Sequence, residues 1–537
     1  MWASTSPTLC GGDWDSKTDN GRYAYSNHDE LMAYADFMAM FNKSWNKISL
    51  NAVWGTSINY TKSNTLSMDS HLAGLYHPNV FTPTNINYGN MSSGDGSASF
   101  NAKNEMQSVF ATAQIGYADA VYLDLTARND WSSTLYGTDS MDSGFFYPSV
   151  GLSWLLNKTI DLPEWINFAK IRGSFAEVGN TLPLYQANLY PTIGMGGVIK
   201  QVINYNDGTL KPEISDSWEV GAEFKFLQHR LDIDFTWYKT ITKNQFLLVP
   251  MLPGSAYAYK MINAGKISNT GIELTIGGVP VQSENFRWRT QFNIATNKNK
   301  VVELAPGFTS FAYGQDGLNM AYRMIVKEGG SLGDIYGNAY ARDDKGQIKF
   351  GDDGMPMVLN DRQQYLGNSN PDCTIGWSNS FNIYGFNVNF LIDARFGGKV
   401  MSFTQGYLDS HGVSKTVGEA MDRGYVDLEG THIENIQKFY TTIGDKDGVT
   451  EQYMYDATNI RLRELSIGYN FPQKFLAKTR AIKELNVSLI ARNLFFFHKD
   501  APFDPDAVLS VGNANQGVDV FGMPTTRSLG FNVKFSF

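Results

Sequence analysis

The chain has 537 residues, of which 42% are hydrophobic, 14% aromatic and only 18% charged, and it carries a net charge of −9. Soluble domains average about 25% charged residues, yet no apolar run here approaches the roughly 20 residues of a membrane helix, so a helical membrane protein is excluded. Aromatic and β-branched residues along the whole length exclude disorder, and an acidic balance without a basic stripe excludes nucleic acid as a partner.

Taken in chain order, period-2 alternation predicts fifteen strands near 31–41, 47–58, 107–117, 121–129, 146–156, 168–176, 217–227, 230–240, 271–279, 286–296, 374–383, 386–396, 459–471, 484–493 and 527–537. In Leu231-Asp232-Ile233-Asp234-Phe235-Thr236-Trp237 the odd positions are apolar and the even ones polar. The chain ends the same way, with Leu529, Phe531, Val533, Phe535 and Phe537 on one face and Gly530, Asn532, Lys534 and Ser536 on the other. Such dyads form strands with one apolar and one polar face. Most have about the 9–11 residues that a tilted strand needs to cross a bilayer.

The connections alternate short and long without exception. The short ones run through 42–46, 118–120, 157–167, 228–229, 280–285, 384–385 and 472–483; the long ones run through 59–106, 130–145, 177–216, 241–270, 297–373, 397–458 and 495–526. A soluble sandwich has no reason to place every long loop at one end, whereas an outer-membrane barrel has short periplasmic turns and long outer loops. Alternation alone does not say whether the apolar face meets lipid or a dry core. Tyr117, Trp154, Trp237, Tyr238, Tyr469 and Phe471, near strand ends, suit interfacial girdles or ordinary core packing. Two cysteines, Cys10 and Cys373, supply neither a disulfide framework nor a four-cysteine metal site.

A series of phrases carries a family resemblance. They include Leu125-Thr126-Ala127-Arg128-Asn129-Asp130-Trp131, Lys170-Ile171-Arg172-Gly173-Ser174-Phe175, Leu210-Lys211-Pro212-Glu213 and Asn269-Thr270-Gly271-Ile272-Glu273-Leu274. Further on come Gly367-Asn368-Ser369-Asn370-Pro371-Asp372, Asn459-Ile460-Arg461-Leu462-Arg463, Ala491-Arg492-Asn493-Leu494-Phe495 and Asp504-Pro505-Asp506. In this order they resemble the carboxy-terminal part of a SusC/RagA-type TonB-dependent outer-membrane transporter. The resemblance implies an all-β antiparallel transmembrane barrel in the outer membrane, of which 1–537 is one single-domain fragment with about 15 of an expected 22 strands. The plug and about seven strands are expected to lie outside this chain, with Met1 internal or a truncated start. It also implies import of an oligosaccharide or peptide with a SusD-like lipoprotein and with TonB acting through the plug, and a carboxy-terminal Phe537 as barrel-assembly signal.

The residues themselves add candidates. Arg172, Arg461, Arg463 and Arg492 are expected to line the lumen and pair with carboxylates such as Glu219, Glu223, Glu273 and Glu464. Tyr185, Tyr190, Tyr205, Phe311, Tyr313 and Tyr340 lie in long loops, where they stack on substrate, bind a partner or pack the loops. Asp343, Asp344, Asp352 and Asp353 form an Asp/Gly-rich stretch that suits a plain acidic loop better than calcium, since the EF-hand spacing fails. No nucleophile elbow, zincin helix or phosphate loop is present. His71 and His77 lack zinc spacing, and His432-Ile433-Glu434 lacks the cysteines of a deaminase. No enzyme and no cofactor is expected. The alternatives are a passive porin-like barrel and a soluble β-rich glycan-binding protein.

Overall fold

In the computed structural model the alternating segments form one antiparallel sheet of sixteen strands, hydrogen-bonded in chain order. The structure describes all of the chain except residues 1, 5–19, 71–72, 91–97, 188–191, 194–198, 201–203, 207, 252–253, 258, 306, 314–321, 446, 477–481, 511 and 513–515. The wall strands are β1 (Trp2–Ser4), β2 (Arg22–Trp45), β3 (Ile48–Asp69), β4 (Ala98–Tyr117), β5 (Val121–Ser132), β6 (Phe145–Leu155), β7 (Ile166–Asn180) and β8 (Glu213–Phe226). They continue with β9 (Leu231–Lys243), β10 (Lys266–Gln282), β11 (Phe286–Glu303), β12 (Cys373–Ile383), β13 (Phe386–Phe396), β14 (Asn459–Asn470), β15 (Glu484–Lys499) and β16 (Ser528–Ser536).

All fifteen predicted strands are present, and the sheet adds a sixteenth. β1 is only three residues long, too short for a dyad to register, and it pairs Ala3 with Tyr23 of β2. The strands β2, β3 and β4 run to 24, 22 and 20 residues, about twice the span of a bilayer, so they project beyond it. The sheet stays open, with β1 and β16 at its two edges.

Short turns use the left-handed conformations that match strand twist. Asn46 has φ +51° between β2 and β3, and Tyr384-Gly385 have φ +48° and +89° between β12 and β13. Because register fixes which face a residue occupies, the two faces of the wall separate by chemistry. Leu125, Val150, Phe175 and Trp218 lie side by side on one face of β5 to β8. Arg172, Gly221, Thr236 and Glu273 lie side by side on the other face of β7 to β10. On the apolar face Leu152 is 52% exposed and Trp218 51% exposed. These residues are not gathered into a dry interior, as a soluble barrel requires; they form the outer surface.

The cores sit beyond the wall, in the long connections. The largest joins Met324, Ile335, Met401, Phe403, Val417, Phe439, Ile443, Tyr453 and Val518. It lies between a four-stranded sheet (Ser310–Tyr313, Tyr322–Lys327, Asp334–Tyr340, Val358–Asn368), a three-stranded sheet (Lys399–Ser402, Met454–Asp456, Val518–Asp519) and three helices. The helices are α1 (Phe403–Ser410), α2 (Lys415–Arg423) and α3 (Ile436–Gly444). The long connections 297–373, 397–458 and 495–526 therefore build a folded outer cap.

Candidate functional site: the luminal wall and its outer loops

The polar face of the wall holds ladders of charge. Arg172 on β7 donates to Asp234 Oδ1 at 2.8 Å and to Thr236 Oγ1 at 2.6 Å, both on β9. It reaches them across Gly221 of the intervening β8, where a Cβ would stand 2.7 Å from Arg172 Nε. Glu219 and Glu223, among the carboxylates expected to pair with the luminal arginines, lie one strand away; the glycine opens a path to the second strand instead. Lys225 takes Glu223 at 3.1 Å. Around them Arg172, Glu223, Asp232, Asp234, Glu273 and Arg289 line a hollow of about 580 Å³.

Nearer the outer end, Arg463 faces Asp393 at 3.5 Å and Arg492 faces Glu464 at 3.4 Å. Arg492 thus meets one of the carboxylates named from sequence; Arg461 goes elsewhere. It is 3% exposed, stacks over Phe496 with 5.8 Å to the ring centre, pairs with Asp504 at 3.6 Å and hydrogen-bonds Asp506. Arg395 of β13 reaches the same Asp506 at 3.6 Å. A second hollow of about 450 Å³ is lined by Glu273, Asn293, Asp393, Arg395, Arg463 and Asp506, with Arg461 behind them. Guanidinium and carboxylate groups of this kind bind and guide a hydrated polar solute. They offer hydrogen bonds and ionic contacts.

The strand-end aromatics divide between the faces. Trp237 lies on the apolar face beside Val220 and Ile272. Tyr238 turns the other way, lies across Gly271 and donates to Asn297 Oδ1 at 3.3 Å, so it is a luminal residue rather than part of a girdle.

The loop aromatics have different fates. Tyr340 is 4% exposed in the cap core and its hydroxyl donates to Gln452 Oε1 at 2.9 Å. Its ring is closed to any ligand, so of the three roles left open it packs the loops. Phe311 is likewise taken up in packing, against Leu247, Val249 and Ala305 on one side and Val301 and Val326 on the other. Tyr185 is 37% exposed, and its hydroxyl accepts from Lys103 N–H at 3.2 Å and donates to Asn101 O at 3.3 Å. Tyr190 lies outside the described residues, as does the side chain of Tyr313, whose backbone ends the strand Ser310–Tyr313. Tyr205 keeps an accessible aromatic setting. Its ring lies 5.4 Å from that of Tyr257, and Lys260 Nζ stands 5.8 Å from its centre.

Tyr257 and Tyr259, 38% and 42% exposed, were not singled out from sequence. The alternation Tyr257-Ala258-Tyr259-Lys260 within a Gly/Pro/Ser-bounded stretch was the available signal. Asn204–Tyr205 then pairs in parallel with Tyr259–Lys260, which brings the two loops together.

The acidic stretch is a pair of tight turns. Asp343 Oδ1 accepts from the N–H groups of Lys345 and Gln347 at 2.8 and 2.9 Å. Asp353 accepts from Lys438 Nζ at 2.6 Å and from Met355 N–H at 3.1 Å, and these bonds, Lys438 first, hold its carboxyl below the usual range. The oxygens of Asp343 and Asp353 are thus engaged by the protein itself, and among the described residues no group of three or more acidic, His or Cys side chains is placed to hold a metal. His77 meets Asn85 through its backbone, His432 stacks on Tyr425 at 4.0 Å, and Cys373 is a free thiol; His71 and Cys10 lie outside the described residues. In the cap, burial pushes the Tyr455 hydroxyl up to about 12, with Asp409 adding to it. Burial raises Tyr322, Tyr340 and Tyr453 as well.

A family model described as TonB dependent receptor-like, beta-barrel, matches residues 8–413. The chain is 26% identical over 535 residues to TonB-dependent receptor P3 of Formosa agariphila, covering 92% of this chain and 51% of that protein. It is 23% identical over 481 residues to TonB-dependent receptor SusC of Bacteroides thetaiotaomicron, covering 81% and 44%. It therefore spans about half the length of the curated relatives it matches. Its fold is similar to that of a chain in the structure of the RagAB peptide transporter, with a TM-score of 0.75 at 19% identity, covering 96% of this chain and 56% of that one.

Proposed function

Because the chain belongs to the TonB-dependent receptor-like β-barrel family, a family of outer-membrane transport proteins rather than enzymes, we propose that it supplies the luminal wall and outer cap of an energised nutrient importer. The carrying observation is the division of the wall into an apolar face, read as facing lipid, and a charged face, read as facing the lumen, with a folded cap built from the long connections. A hydrated solute needs such a path, and a soluble glycan-binding protein does not. On this reading the chain is the carboxy-terminal part of a barrel of about 22 strands. The further strands and a plug belong to other parts of the protein, and Phe537, 70% exposed beside Phe535, serves as the barrel-assembly signal.

The proposed cargo is an oligosaccharide or a peptide, delivered by a SusD-like surface lipoprotein that docks on the cap, with TonB acting from the periplasm. Of the predicted aromatics, Tyr205 with Tyr257 is the pair best placed to stack on a ring of the cargo. The test is uptake by intact cells carrying the full-length protein, with labelled oligosaccharides and peptides in parallel. Import that stops when the proton gradient is collapsed, and that needs a co-purifying lipoprotein, supports the reading. Import that continues without the gradient would establish the passive porin instead.

A further inference from the structure

Arg461 is among the most buried charges of the described wall, as Asp130 beside Arg128 is on β5. Arg461 and Asp504 are both closed off, 3% and 5% exposed at their side chains, whereas Arg172–Asp234, Arg463–Asp393 and Arg492–Glu464 are open to water. Asp504 and Asp506 belong to the last long connection, which leaves β15 and returns as β16. That connection makes two sets of contacts. At one end, Asp506 bridges Arg461 and Arg395 and lines the 450 Å³ hollow. At the other, Val518–Asp519 pairs in parallel with Met401–Ser402, the N-terminal boundary of α1. There Ser402 Oγ donates to Asp519 Oδ2 at 2.8 Å, Met401 N–H donates to Gly517 O at 2.8 Å, and Val518 enters the cap core.

The two ends are joined directly. Leu509 N–H donates to Val518 O at 2.8 Å, Ala507 N–H donates to Asp504 O at 3.0 Å, and Asp506 N–H donates to Asp504 Oδ1 at 3.0 Å. Thr525 also donates to Asp504, and Phe521 N–H donates to Thr404 Oγ1 at 2.6 Å, while Phe521 itself is held at φ +45°. Positive φ in a bulky residue persists only where its surroundings fix it. A path of hydrogen bonds and the short backbone stretches between them therefore runs from the luminal hollow to the start of α1.

From this path we infer that residues 504–509 and 516–519 act as a strap coupling the luminal wall to the outer cap, with Asp506 as its luminal sensor. Asp506 is one-third exposed and faces the hollow, so a solute group that engages Arg395 or Arg461 competes with it. Losing Asp506 from the two arginines slackens the strap and loosens the Met401–Ser402 pairing that seats α1. Such coupling is reciprocal, since each end biases the same element. The inference does not depend on which molecule is carried.

Hydrogen exchange on the full-length protein, purified from outer membranes in detergent, tests it. In Asp506→Asn the amides of Leu509, Met401 and Gln405 are expected to exchange at least tenfold faster than in the parent. In Ser402→Ala, a small change at the far end, the amides of Asp506 and Ala507 are expected to do the same. Faster exchange confined to the mutated end in both variants would overturn the strap, because it would make each cluster a local anchor. The Asp506→Asn variant keeps the size and the hydrogen-bonding oxygen of the side chain, and Ser402→Ala leaves the wall untouched, so a folding failure of one leaves the other to decide.

Discussion

Arg172 and Asp234 meet across an intervening strand, 2.8 Å apart, because Gly221 lies between them on β8. Gly221 is the direct register partner of both Arg172 and Thr236. Any side chain there would occupy the space through which the guanidinium passes. The same device recurs at Gly271, over which Tyr238 lies, and at Gly277, against which Asp232 lies. At these three luminal glycines a polar side chain of the neighbouring strand is laid flat over the bare backbone.

Gly221→Ala is expected to displace Arg172 and break its bridge to Asp234. The two side chains are 33% and 41% exposed, so the bridge contributes only about 0.2–1 kcal/mol. Urea unfolding of Gly221→Ala, Asp234→Asn and the double variant in lipid vesicles checks it. The two losses should be less than additive, since either change removes the same contact; full additivity means that the glycine serves another purpose.

On the lipid face a polar pair is hidden under aromatic rings. Trp288 Nε1 donates to Asn379 Oδ1 and Trp377 Nε1 donates to Thr290 Oγ1, each at 2.9 Å, and Asn379 is 3% exposed. Trp288 stacks on Phe381 at 5.7 Å and Phe292 stacks on Trp377 at 5.2 Å. Where no water is at hand, an indole N–H without an acceptor costs about 1–3 kcal/mol. Thr290→Val, which keeps the shape, should destabilise the barrel by about that amount and shift the emission of Trp377. An unchanged midpoint in vesicles would falsify the view that this hydroxyl satisfies the indole.

Alkaline pH should act on the cap before the wall. Tyr455 titrates at about 12 in the folded protein against 10 for a free tyrosine, and Tyr322, Tyr340 and Tyr453 are shifted in the same direction by burial. A raised pKa means that folding favours the protonated hydroxyl. Its contribution is complete below pH 10 and declines as pH climbs through the folded value. Tyrosinate absorbance and protease cleavage followed between pH 9 and 12.5 should show the cap opening while the sheet signal in circular dichroism persists. Simultaneous loss of both would mean that cap and wall unfold as one unit.

The wall was legible because a membrane-crossing strand must alternate at every step, so each of the fifteen long strands left a dyad. β1 left none at three residues. The cap was not legible by that period, since its helices are short and its strands run to as few as two or three residues. The helix starts nevertheless carried signals. Ser402, Ser414 and Asn435 cap α1, α2 and α3 by accepting from Gln405, Val417 and Lys438, and Gly424 closes α2 at φ +83°. The charge pairs were legible as polar positions but not as pairs, because Arg172 reaches Asp234 two strands away and Arg461 reaches Asp504 in a loop. The burial of Tyr340 and Phe311 depends on contacts between segments far apart in sequence, such as Tyr340 with Gln452, and no local pattern announces it.

The most direct test of the faces compares Val220 with its cross-strand surroundings. Val220 lies between Gly173 and Trp237, is 52% exposed and sits near the middle of β8. Gly221, the next residue, pairs with Thr236 on the luminal face. A cation on the lipid face near the midplane costs roughly 2–4 kcal/mol, whereas the same cation in a wet lumen costs little. Val220→Arg should therefore lower stability in vesicles by about that amount and reduce the folded fraction on assembly. Thr275→Arg, on the same luminal face with Asp234 as its register partner, should stay within about 1 kcal/mol of the parent. The reverse ranking would place water outside the wall and the apolar core within, and with it the soluble alternative.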